Sequence, residues 1–102
     1  MLPLDFHPLV EADITDSAEC YARRQAGLDS RFLAEVRDQL DALPAAALLH
    51  AVRFGDIRRV NPASFQHGIF YFVTEGAIVV PAVLHGHRDS GVELRRRREH
   101  FG

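Results

Sequence analysis

Val10, Ile14, Ala18 and Tyr21 recur at helical spacing with acids between them, which predicts a first helix. Proline suits the first helical position, so His7-Pro8 is the expected entry. The helix should run to about Gln25, and Gly27 is a plausible stop. Ahead of it, residues 2–6 (LPLDF) read as a short first strand. A second helix follows, with Phe32, Leu33, Val36, Leu40 and Leu43 on one face and Arg31, Glu35 and Asp38 pointing away. Asp29 or Ser30 is the expected cap and Pro44 the expected end. The link between the helices is only a few residues, so they should form an antiparallel pair.

After His50 the period changes. Residues 52–60 (VRFGDIRRV) read as one strand, and Asn61-Pro62 interrupts it. Residues 64–74 alternate, with Phe65, His67, Ile69, Tyr71 and Val73 on one face. Glu75-Gly76 reads as a tight hairpin turn into residues 77–85. Pro81 cannot donate to a ladder, so this last run implies an edge strand, a bulge or a local break. Residues 92–99 read as a short helix. The expected fold is α+β, in the order β-α-α-β-β-β, with the helical hairpin packed on one face of a mainly antiparallel sheet. The helices should meet that sheet at residues such as Ile69, Tyr71 and Val79.

A chain of 102 residues bounds this to a single domain over 1–102, with about 92–102 as a variable basic tail. No run approaches the roughly 20 apolar residues of a membrane span. The cytoplasm is the default expectation, with no membrane partner. Cys20, the one cysteine, fits a reducing compartment and reads as a small buried apolar side chain on a helix. The net charge of −2 hides an asymmetry. Residues 1–50 hold nine acids and four arginines, whereas residues 51–102 hold eight arginines and five acids. The second half is therefore where an anionic partner would dock. There is no lysine, so arginine and histidine must do any work that needs a cation or a base.

Several residues are candidates for chemistry. His85 and His87 are alternate residues of a strand and could reach one ion together, but no third ligand is evident, and no metal or cofactor is expected. Arg58 and Arg59 are neighbours on a strand and face opposite ways, so at most one serves a given site while the other pairs with an acid. Tyr71 fits core packing with its hydroxyl satisfied. Arg95, Arg96, Arg97 and Arg98 are either a solvated helix end or a partner-binding patch.

In their order, the pieces "FHPLVEADI", "YARRQAGLDSRFLAEV", "IRRV", "FQHGIFYFV" and "AVLHGHRD" resemble the RelE/ParE superfamily of bacterial toxins, in particular the ParE-like, plasmid-stabilisation type. The resemblance covers about residues 6–88. It implies a toxin of a toxin–antitoxin pair, bound by a cognate antitoxin in a hetero-oligomer. ParE-like members poison DNA gyrase, and RelE-like members cut mRNA in the ribosome. Cleavage needs a base, a cation and an acid. Here Arg58, Arg59 or Arg88 could supply the cation, and His67, His85 or His87 the acid or base. The candidate catalytic residues are therefore His85, His87, Arg88 and Arg59. The candidate contacts to target or antitoxin are Arg58, Arg59, Arg88 and the run Arg95 to Arg98. That run stands where relatives often carry aromatic residues. With Pro81 and Asn61-Pro62, this departure leaves open a degenerate toxin that keeps only antitoxin binding.

Overall fold

The structure, a computed structural model, describes residues 2–62, 64–85 and 91–102. Strand β1 spans Leu4–Phe6, helix α1 Val10–Arg24 and helix α2 Leu28–Ala46. They are followed by β2 (Val52–Phe54), β3 (Ile57–Val60), β4 (His67–Val73), β5 (Ile78–His85) and helix α3 (Gly91–Glu99). The strand order is β1-β5-β4-β3-β2. β1 runs parallel to β5, and the remaining pairs are antiparallel. No described helix is long and apolar enough to cross a membrane.

The helical hairpin forms as its periodicity predicts. Val10, Ala18 and Tyr21 of α1 and Phe32, Val36 and Leu43 of α2 are buried against Val60, Ile69, Tyr71, Ile78 and Val80. Each valine, leucine, isoleucine or phenylalanine among them contributes roughly 1.5–3 kcal/mol by leaving water. The ends differ in detail from expectation. α2 starts at Leu28 behind Gly27, whose φ of 87° suits glycine, and no side chain caps it. Asp29 lies in the first turn instead, where the helix dipole favours an acid. Pro44 lies inside the last turn of the helix, two residues from its end, where its missing N–H forfeits a single bond. Leu33 is 41% exposed, a departure from the expected helix face.

The run 52–60 is not one strand. Gly55, with φ 54°, turns the chain between β2 and β3, which pair as a hairpin at the sheet's edge. Pro81 makes a bulge rather than an edge. Phe70 pairs with Ala82 and Phe72 with Val79, so Val80 and Pro81 together oppose Tyr71. The extra residue flips the alternation. Ile78, Val80 and Val83 face the helical hairpin, while Val79, Ala82 and Leu84 face the other way. Val79 is therefore not under the helices as expected. It belongs to a second cluster with Ile57, Phe70, Phe72 and Leu94, which α3 covers. The sheet is sandwiched between helices, and the tail is part of the fold.

Candidate functional site

On the helical-hairpin side, α1 lays Asp13, Ser17 and Tyr21 along one edge at four-residue spacing, facing the ends of β4 and β5. His67, the first residue of β4, is buried there. Its Nε2 lies 2.9 Å from Ser17 Oγ and its Nδ1 2.9 Å from the Tyr21 hydroxyl. Ser17 donates its own proton to the Asp13 carbonyl at 2.8 Å. Burial raises the Tyr21 pKa, which keeps its hydroxyl a donor. This arrangement fits an imidazole protonated on Nε2, with Nδ1 accepting from Tyr21. Both ring nitrogens are committed to the fold.

His85 pairs opposite His67 across the β4–β5 ladder, with ring centroids 5.1 Å apart. It is half-buried and faces a cleft of about 290 Å³ that Arg24 and Cys20 also line, and Cys20 is exposed on α1 rather than buried as expected. His87 and Arg88 lie outside the described residues, so the structure places neither the His85–His87 pair nor Arg88. Among the described residues, no group of three histidines, cysteines or acids could hold a metal ion.

Arg58 and Arg59 face opposite ways, as neighbours on a strand must. Arg58 donates to the carbonyl of His50 at 2.6 Å and braces the chain between α2 and β2. Tyr71 anchors the same stretch by donating to the Ala47 carbonyl. Arg59 donates to Asn61 Oδ1 at 3.0 Å and to the Gln66 carbonyl at 3.4 Å. It lies over the Phe70 ring and fills the space a Cβ on Gly68 would need. Burial, and then the nearby charge of Arg53, lower its pKa from the usual arginine value. Among the described residues, the partners of both arginines are carbonyl or amide oxygens, so the expected pairing with an acid does not occur.

The arginine run divides by helix phase. Leu94, Arg97 and Phe101 fall on the sheet side of α3. Arg97 is buried and grips Asp13 with both terminal nitrogens, at 2.6 and 3.1 Å. It also donates to Glu93 at 2.8 Å and to the Pro81 carbonyl at 3.2 Å. Burial opposes its charge, but its hydrogen bonds to Asp13 and Glu93 outweigh that and raise its pKa. Asp13 also accepts the Val83 N–H at 3.0 Å. Past Phe6, where β1 ends, α1 and α3 thus satisfy the edge of β5 that β1 leaves open. Arg98 pairs with Asp56 at 3.0 Å above the Phe72 ring. Arg96 is exposed and pairs with Glu93. Arg95 is exposed on the rim of a groove with Phe54.

Asp13, Ser17 and Glu93 are structural residues that the apolar periodicity does not single out. Two signals for them exist in the chain. Asp13 and Ser17 sit eight and four residues before Tyr21, and Glu93 sits four residues before Arg97.

A further groove, of about 440 Å³, runs beside the helical hairpin and edge strand β1. Phe6, Pro8, Ile14 and Leu40 line it, and Leu9 next to it is 46% exposed.

Comparisons with known proteins agree with this fold. Residues 4–90 match the family described as the ParE toxin of type II toxin–antitoxin system, parDE. A solved chain of the chromosomal ParDE TA system from P. aeruginosa superposes with a TM-score of 0.68 at 14% identity. The match covers 83% of this chain and 96% of that one. No curated protein matches the sequence.

Proposed function

Because this chain belongs to the ParE toxin family of type II toxin–antitoxin systems, we propose that it inhibits DNA gyrase and is neutralised by a cognate antitoxin. The family match over residues 4–90 carries the reading. The local chemistry supports it. A gyrase inhibitor needs a binding surface, whereas RNA cleavage needs a poised base, acid and cation. His67 has both ring nitrogens bonded to Ser17 and Tyr21, Arg58 holds backbone carbonyls, and Arg97 is locked to Asp13. These side chains maintain the fold.

The antitoxin segment docks in the groove lined by Phe6, Pro8, Ile14 and Leu40. A flexible segment loses entropy on ordering and needs apolar anchors to offset it, and this groove offers them. Arg95 and Arg96, exposed on α3, are the proposed charge contacts to antitoxin or target.

Induced expression in bacteria tests the reading. The expected result is a DNA damage response. The contrary result is rapid translation arrest with ribosome-bound mRNA cut, abolished by His85→Ala or Arg88→Ala in a stably folded protein.

A further inference from the structure

His7 joins three parts of the fold at one buried position. Its backbone N–H donates to the Val80 carbonyl of β5 at 3.0 Å. Its Nδ1 accepts the Leu9 N–H at 3.1 Å, where α1 begins. Its ring packs edge-on against His100 and Phe101, just past α3, at 4.7 and 5.9 Å. Phe101 in turn packs on Phe72 of the sheet, 5.9 Å away.

An Nδ1 that accepts a hydrogen bond carries no proton. Protonating it sets N–H against N–H at the helix entry. It also places a cation beside Arg97 and His100. We propose that His7 is a proton-sensitive latch for α3, seating the segment after α3 while neutral and releasing it when protonated.

Among the described residues, the charged groups around the ring lie on α1, on α3 and just past α3. α1 presents Asp13, with Glu11 on the neighbouring groove, and α3 presents Glu93 and Arg97, with His100 just beyond it. β5 contributes the Val80 carbonyl. Burial lowers the His7 pKa from 6.5, His100 and Arg97 lower it further, and Asp13 and Glu93 oppose them. A histidine with a lowered pKa binds fewer protons when the segment is seated. Seating is therefore complete above about pH 6.5 and weakens as pH falls, by up to about tenfold per pH unit for one proton.

Hydrogen exchange of residues 91–102, corrected for intrinsic rate, tests this at pH 7.5 and 5.5. In the unaltered protein, protection of this segment should fall several-fold while β4 and β5 hold. In His7→Asn the segment should stay protected, because asparagine can accept the N–H two residues on and does not titrate. An equal loss in both proteins, or none in the unaltered one, overturns the proposal. So does a loss that His100→Gln abolishes and His7→Asn keeps. Should His7→Asn fail to seat the segment even at pH 7.5, the unaltered protein decides by NMR. The His7 ring must then titrate below pH 6.5 in step with the Phe101 ring signals, and independent titrations overturn the latch.

Discussion

Arg95 and Arg97 show how little a residue's identity fixes its role. Two positions apart on α3, they point in different directions, one into solvent and one onto Asp13. Removing one member of a buried pair leaves the other charge stranded, which costs about 3–5 kcal/mol. Arg97→Gln should therefore lower stability by about that much in urea denaturation, whereas Arg95→Gln should stay within about 0.5 kcal/mol. For the proposed charge contact the order reverses. Arg95→Gln should slow association with the antitoxin and flatten its salt dependence. Equal stability losses in the two variants would contradict the division. The sequence shows four arginines in a row, but their division depends on which carboxylates lie across the sheet. Asp13 is 84 residues from Arg97, and no local pattern connects them. His67, by sequence a possible acid or base, is likewise given its structural role by Ser17 and Tyr21 beside it.

At the scale of elements, long periodic segments were legible and short irregular ones were not. Both hairpin helices follow their apolar stripes, because fifteen and nineteen residues give several turns of pattern. The β2–β3 hairpin was read as one strand because strands of three and four residues, joined by a tight turn, mimic one run. Gly55 is the residue that divides them. At φ 54° any larger residue is strained by roughly 1–2 kcal/mol, so Gly55→Ala should destabilise by about that amount. Gly76→Ala, in a turn with open space and no positive φ, should stay within about 0.5 kcal/mol. Thermal melts of the two variants check the contrast, and equal shifts would remove the turn argument. Pro81 was legible as an irregularity. Its consequence, the change of face along β5, required the register with β4. The covering role of α3 had a sign in the sequence: Phe70 and Phe72 are apolar on the face opposite Ile69 and Tyr71.

At the scale of the molecule, a central sheet carries two clusters, one under the helical hairpin and one under α3. Arg97 and Asp13 join the two layers past the end of β1. We propose that residues 1–102 fold as one unit, with the basic tail as an integral layer. The family was legible because its pieces keep their order along nearly the whole chain. The candidate site was less so: His87 and Arg88 lie outside the described residues, and Arg58, Arg59, Arg96, Arg97 and Arg98 have partners within the fold that no local pattern announces. We propose that this toxin acts on gyrase by binding. The most direct measurement adds the purified protein to gyrase and relaxed plasmid with ATP, and follows supercoiling. Dose-dependent inhibition is expected, reversed when the cognate antitoxin is added in equal amount. Undiminished supercoiling, together with cleavage of mRNA on added ribosomes, would contradict it.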